Sequence, residues 1–299
     1  MGRVRDLTGQ ANFQPFIKRL PQFFSAIRFQ ETVFALPFAY TGMILAADGF
    51  PTFYQFSWIT VAMISARTFG MAFNRVADRH IDARNPRTVS RHLPSKRLRV
   101  SDLVILAAVA MGVFFAAAAM LNNLALALAP VAAVYLALYP FSKRFTWTAN
   151  LLLGWALAIA PSAAWIGVRG SLDWEPVLLS VAVASWAASF DIIYHTQDHE
   201  FYSLDGLHSI ALRFGAVAAF RWAKALDVIA VVALLVMGEW MGLSLPYYLG
   251  CVVSIGLLVA KYRLVSPTDM SRITIAFFRI NAYISTTVFV ATSVSILLD

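Results

Sequence analysis

Nine long apolar runs, separated by polar connections, set the pattern of this chain. They fall at about 33–50, 52–73, 101–121, 123–141, 149–167, 176–198, 217–238, 244–264 and 274–297. Most approach the roughly 20 residues that a helix needs to cross a bilayer. The pattern predicts an all-α, polytopic membrane protein of nine transmembrane helices, with no room for a separate soluble domain. The whole chain, 1–299, is therefore expected to form one transmembrane domain.

Composition sharpens this picture. The chain is 60% hydrophobic and 13% charged, and the charged share falls well below the roughly 25% of soluble domains. Lys and Arg gather in alternate connections. They precede the first run, crowd the long connection after the second (Arg75 to Arg99), and follow the fourth, sixth and eighth. Only Arg169 falls on the other side, and Arg67 lies inside the second run. That bias predicts a cytoplasmic N-terminus in the inner cell membrane. The net charge of +8 is then explained without nucleic acid, and no nucleic-acid partner is expected. A lone Cys251 excludes an internal disulfide. Residues 1–32 form a polar segment without an apolar signal core, so no cleaved secretory peptide is expected. Within it, 14–28 alternates apolar and basic positions, which suits a helix on the membrane surface as well as a plain tail.

Two connections on the basic side, 74–100 and 199–216, are long and polar and are expected to cap that face. An acidic motif stands at the end of the apolar run that leads into each. Asn74, Asp78 and Asp82 stand four residues apart; Asp191, Tyr194 and Asp198 follow at three and four. Such spacing places each set on one helical face. Carboxylates are costly at the edge of a bilayer, so two such sets imply a site. Faces that met would offer oxygen ligands to a hard cation such as Mg²⁺. A site with carboxylates, Mg²⁺ and cationic side chains suits a diphosphate ester, with Arg67 on the Asn74 face and Lys143 and Arg144 closing the fourth run on the same side. A lipid tail on that diphosphate would find its groove among the apolar helices. Aromatic faces could steady an allylic carbocation, though most aromatics here are expected to face lipid.

Plainer readings remain for other residues. His195 and His199 stand i, i+4 but have no third nitrogen or sulfur ligand at metal spacing, so outer-shell or loop roles are expected. His80, His92 and His208 are expected at the surface. Gly154, Pro161 and Gly167 suit close packing or a kink. A transporter would place its ionisable groups near mid-membrane, whereas these gather at one surface and only Arg67 and Asp227 lie well inside runs.

The motifs NRVADRHIDARNPRT and SRHLPSKRL, LYPFSKR at 138–144, and DIIYHTQDHEF with GLHSIALRFG at 206–215 resemble those of the UbiA superfamily of intramembrane aromatic prenyltransferases. The likeness is nearest the bacterial 4-hydroxybenzoate polyprenyltransferase branch, including the menaquinone type. It implies nine helices around a central cavity, Mg²⁺ dependence, a polyprenyl diphosphate donor and an aromatic acceptor such as 4-hydroxybenzoate or 1,4-dihydroxy-6-naphthoate. By that resemblance Asn74, Asp78, Asp82, Asp191 and Asp198 bind metal, and Arg67, Arg91 and Lys143 lie near the diphosphate with Arg144 beside them. Asp78, Asp191 and Tyr194 are the candidate catalytic residues. One departure stands out: where the family usually carries a further Asp, this chain has Tyr202. A phenol with a pKa near 10 is a poor Mg²⁺ ligand. Asp205, seven residues after Asp198, would return to that face only if the helix continued, and Gly206 argues that it ends. A weakened or repurposed second metal half is therefore the alternative to a fully competent enzyme.

Overall fold

In the structure, a computed structural model, residues 16–28 and 32–298 are described, with side chains described for 20–28 and 35–298. Residues 1–15 and 29–31, part of the expected N-terminal polar segment, lie outside the described residues. Among those described, the regular structure is helical apart from one isolated bridge between Ser266 and Asp269. The helices are α1 (Phe16–Ala26), α2 (Thr32–Ala47), α3 (Phe53–Ala77), α4 (Arg79–Arg84), α5 (Val100–Leu121), α6 (Asn123–Leu138), α7 (Ala149–Arg169) and α8 (Glu175–His195). They continue with α9 (His199–Leu204), α10 (Ile210–Phe214), α11 (Ala216–Trp240), α12 (Leu245–Leu264) and α13 (Asn281–Leu298). A 3-10 turn, Tyr139–Arg144, prolongs α6, and a π-helical turn, Ile275–Ile280, leads into α13.

Every one of the nine apolar runs is helical. Seven helical stretches among the described residues are long and apolar enough to cross a membrane: α3, α5, Asn123–Arg144, α7, Glu175–Leu204, α12 and Ile275–Leu298. Of the other two, α2 has only 16 residues, and α11 carries Arg221, Lys224, Asp227 and Glu239 along its length. Local signals set several ends. Thr52 and Gln55 form a reciprocal capping box at the start of α3. Asn122 caps α6 through the Ala125 amide at 2.8 Å and donates to the Ile166 carbonyl of α7 at 2.7 Å. Gly170 closes α7 with a φ of 69°, a conformation open to glycine.

α8 is the centre of the bundle. The window of its span is 78% buried, against 44% for α7 and less for the other spans. It packs between α7 and α11, while α2 packs on α7 and α13, and α3 on α5. Close approach depends on small residues. A Cβ at Gly154 would collide with the Ala184 carbonyl of α8, and one at Gly42 with the Pro161 carbonyl of α7. Exposed Val104, Ile105 and Val109 on α5, and Val252 and Val253 on α12, suit contact with lipid tails.

Candidate active site

α3 ends where its sequence turns from apolar to acidic. Asp78 sits between α3 and α4 with φ −91° and ψ 2°, so the axis bends there. The i→i−4 bonding nevertheless persists, from the Asp78 amide to Asn74 at 2.9 Å and from the Asp82 amide to Asp78 at 2.8 Å. The Asp78 carboxylate, 2% exposed, pairs with Lys143 from the 3-10 turn after α6. Arg144 lies 3.6 Å from its Oδ1 and donates to the Ala77 carbonyl at 2.6 Å. That Oδ1 has no hydrogen-bond partner. Asn74 pairs with the Tyr139 hydroxyl, and Arg67 lies within electrostatic reach of that tyrosine. Asp82, also buried, accepts from Arg91 at 2.7 Å.

α8 supplies the opposing set. Asp191 accepts from Asn150 of α7 at 2.8 Å, and His195 Nδ1 lies 3.1 Å from its other oxygen. Asp198, 3% exposed, is held by both arms of Arg87, at 2.8 and 2.5 Å, and by Asn85 at 3.1 Å. Arg87 also donates to the Tyr194 hydroxyl at 2.9 Å and lies over its ring, 5.0 Å from the centroid. Burial works to lower the Arg87 pKa, but its hydrogen bonds to Asp198 and the charges of Asp198, Tyr194 and Tyr202 outweigh it and hold the guanidinium above its usual value. The Tyr194 ring packs tilted against Phe277 of the π-helical turn, with centroids 4.3 Å apart.

Tyr202 stands between the sets. Buried beside Ile81 and Leu207, it lies 5.9 Å from the His195 ring and within electrostatic reach of Asp198, Asp191 and Asp78. Asp205 does not join the Asp198 face. Arg84 of α4 holds it bidentately at 2.6 and 2.8 Å, because α9 ends before it. The expected cap loops are thus short helices, α4 in one and α9 and α10 in the other, that meet each other through this pair, the Asn85 and Arg87 bonds and the Ile81–Tyr202–Leu207 contact.

Among the described residues no three His, Cys, Asp or Glu side chains gather closely enough to hold an ion as they stand. Instead Asp78, Asp82, Asp191 and Asp198 each have their own basic partner, in Lys143, Arg91, His195 and Arg87. The donor chemistry does fit Mg²⁺: carboxylate oxygens, an amide at Asn74 and a buried carboxylate oxygen on Asp78 without a donor. Sequence reasoning missed Arg87, Asn85 and Asn150. The first two lie in the NPRT run, whose polar residues beside the acidic motif were the available signal.

A second ionic cluster lies behind α8. Lys261, 1% exposed, donates to Asp227 at 2.5 Å and to Ser189 at 3.1 Å, and the Tyr262 hydroxyl donates to Asp227 at 2.5 Å. Ser189 is two residues from Asp191 and so on the opposite face of α8. Lys261 is therefore a buried partner tying α8, α11 and α12.

Comparison with known proteins finds relatives of this chain and of its fold. The profile described as the UbiA prenyltransferase family matches residues 35–283. The chain is 29% identical over 260 residues to the 4-hydroxybenzoate octaprenyltransferase of Aliivibrio fischeri, covering 86% of this chain and 89% of that one. It is 28% identical to the enzyme of the same name from Francisella tularensis subsp. mediasiatica, covering 79% and 83%. The apo structure of a UbiA homolog from Aeropyrum pernix superposes with a TM-score of 0.77 and 28% identity, covering 90% of this chain and 97% of that one. A UbiA homolog from Archaeoglobus fulgidus bound to GPP and Mg²⁺ shares the fold at a TM-score of 0.67 and 18% identity, covering 91% and 99%.

Proposed function

This chain belongs to the UbiA prenyltransferase family, and from that premise we propose that it transfers a polyprenyl chain from polyprenyl diphosphate to an aromatic acceptor of the 4-hydroxybenzoate or 1,4-dihydroxy-6-naphthoate type, in making a membrane quinone. The observation that carries this reading is the set of buried carboxylates, of which Asp78 and Asp82 are matched by cations that phosphate oxygens could take over. Lys143 on Asp78 and Arg91 on Asp82 are placed to move from carboxylate to diphosphate. Arg67 and Arg144 add positive charge nearby, Arg144 at 3.6 Å from Asp78 Oδ1. The names of the Aliivibrio and Francisella relatives support the acceptor class, and the bound state of the Archaeoglobus homolog supports the donor class.

When bound, Mg²⁺ would lower the charge on the departing diphosphate; Asn74, Asp78 and Asp82 on one side and Asp191 and Asp198 on the other would hold it. In the reaction, the bond from the first prenyl carbon to the diphosphate oxygen breaks, and its electron pair leaves with the diphosphate. A ring carbon of the acceptor forms the new bond and the ring then gives up a proton. Lys143, Arg144 and Arg91 stabilise the leaving group through charge-assisted hydrogen bonds. Tyr194 and Phe277 offer aromatic faces beside the site, where a carbocation is steadied. Asn150 and His195 fix the Asp191 carboxylate on the α8 side. The basic connections support a site facing the cytoplasm of the inner membrane under the positive-inside rule.

A second reading rests on Tyr202. A buried phenol in reach of three carboxylates replaces a ligand with an uncharged group, which suits a chain with a weakened second metal half. One experiment addresses both readings. Purified protein receives geranyl diphosphate, a panel of aromatic acids and Mg²⁺. A prenylated product that disappears in Asp78→Ala is the expected result; no product with any acceptor would favour the weakened reading, and unchanged activity in Asp78→Ala would overturn the site.

A further inference from the structure

Behind α8, on the side away from the site, two buried charges take no part in the proposed reaction. Asp227 is 4% exposed and Lys261 1%, inside a bundle where burying charge is costly. Three helices meet there: Ser189 comes from α8, Asp227 from α11, and Lys261 and Tyr262 from α12. The Lys261 ammonium and the Tyr262 hydroxyl converge on one oxygen, Asp227 Oδ2, each at 2.5 Å. So held, Lys261 reaches across to the Ser189 hydroxyl at 3.1 Å, which also lies 3.4 Å from that of Tyr262. Replacing a buried ion pair by apolar residues is often neutral or stabilising, so stability alone is a weak reason to keep one. What this pair supplies to α8 is direction.

The place of Ser189 gives that direction a use. Ser189 precedes Asp191 by two residues, about 200° around the helix. The front of this turn is held by Asn150, which donates to Asp191 at 2.8 Å, and the rear by Lys261 at Ser189. The neighbouring Ile192 and Ile193 share an apolar cluster with Ile210, Ala219, Phe220 and Val265. Such contacts are non-directional and set the rotation of a helix less sharply than a hydrogen bond does. We propose that Lys261 is a positioning residue: seated on Asp227, it fixes through Ser189 the rotation of the last turns of α8, and so the aim of the Asp191 carboxylate. The inference rests on the proposed role of Asp191 in holding Mg²⁺.

Mn²⁺ in place of Mg²⁺ tests this on full-length protein in nanodiscs, beside a thio analogue of geranyl diphosphate that does not react. Electron paramagnetic resonance reads the free Mn²⁺ and hence the affinity. Ser189→Ala removes the tie and leaves Lys261 on Asp227. Lys261→Met/Asp227→Leu removes both charges together, so that neither is stranded. Each should bind Mn²⁺ about tenfold more weakly than the wild type, the lower end of the loss when groups that orient metal ligands are removed. Half-maximal turnover should need a similarly higher concentration of Mg²⁺. Ser180→Ala is the control. It takes from the same helix a hydroxyl that donates to the Ala158 carbonyl at 2.8 Å, and it should bind Mn²⁺ as the wild type does. Wild-type affinity in Ser189→Ala or in the double variant overturns the proposal, as does an equal loss in Ser180→Ala. If the double variant does not fold, the two serine variants decide alone. A wild type that binds no Mn²⁺ beside the analogue overturns the role of Asp191 and this proposal with it; binding that no variant alters overturns the positioning alone.

Discussion

The two carboxylate sets look alike in spacing but are held in opposite ways. Asp78 lies at a break in α3 and takes its partners from one neighbouring turn, with an oxygen left over. Asp198 lies in the turn after α8 and has both oxygens filled by Arg87 and Asn85, from a segment more than a hundred residues earlier. Beside the first set stand Lys143 and Arg144, from the 3-10 turn after α6. Beside the second stands Tyr202, buried and uncharged. The difference suggests a division of labour, in which the first set receives the diphosphate and the second fixes the cap against α8.

The largest expected effect breaks the first set. Asp78→Asn keeps the volume but removes the charge that positions Lys143, and kcat/KM for prenyl transfer should fall by about 100-fold or more, the scale seen when a preorganised electrostatic group is removed. Steady-state kinetics with geranyl diphosphate measure it. A loss of less than about threefold, far below that scale, would mean that the open carboxylate is not the working one.

Next comes the second set. Arg87→Met removes the cation from a carboxylate only 2% exposed in its side chain, and stranding a buried charge costs about 3 kcal/mol of stability. The comparison predicts a clear drop in the thermal midpoint, with a smaller loss of turnover per folded molecule than in Asp78→Asn. Equal kinetic losses in both variants would erase the proposed division. Mg²⁺ should restore part of the midpoint if it can replace the lost guanidinium at Asp198.

How much of this was visible in the chain depends on the range of each interaction. The apolar runs were legible because lipid leaves the backbone no partner but itself, and helix length follows from bilayer thickness. The acidic motifs were legible because their spacing is local. Arg87 was not: its partner lies 111 residues away, and periodicity fixes a face without saying what it meets. Lys261 shows the same limit. Its place near the end of a run suggested a basic loop, whereas only the packing of α11 against α8 and α12 brings Asp227 to it. Asp205 is the opposite case, where Gly206 correctly signalled that the helix stops and the carboxylate turns elsewhere.

A smaller effect is expected at the position where the sets meet. Tyr202→Asp would bring a further carboxylate within reach of Asp198, Asp191 and Asp78. Without metal, like-charge crowding should cost about 1 kcal/mol. With saturating Mg²⁺ the sign should reverse, and half-maximal activity should need several-fold less metal. Melting curves with and without Mg²⁺ separate the two terms. A variant equally destabilised in both conditions would mean that Tyr202 is only a packing residue of the Ile81–Leu207 contact.

The smallest effect belongs to the pair that ties the two connections at the surface. Arg84 grips Asp205 with two hydrogen bonds, yet its side chain is 57% exposed. Water and salt compete for both partners, and exposed pairs of this kind have small net worth even with good geometry. Asp205→Asn should therefore change kcat/KM by less than about twofold, an effect that fades as ionic strength rises. The geometry allows a sharper outcome if the grip orders the cap. In that case the change would appear in KM for the diphosphate donor and leave kcat alone, because an unpinned α4 would loosen Asp82 and Arg91 without touching Asp78. A larger loss in kcat than in KM would place Asp205 with the working carboxylates after all, and the contrast between an open first set and a pinned second set would have to be drawn again with Asp205 in it.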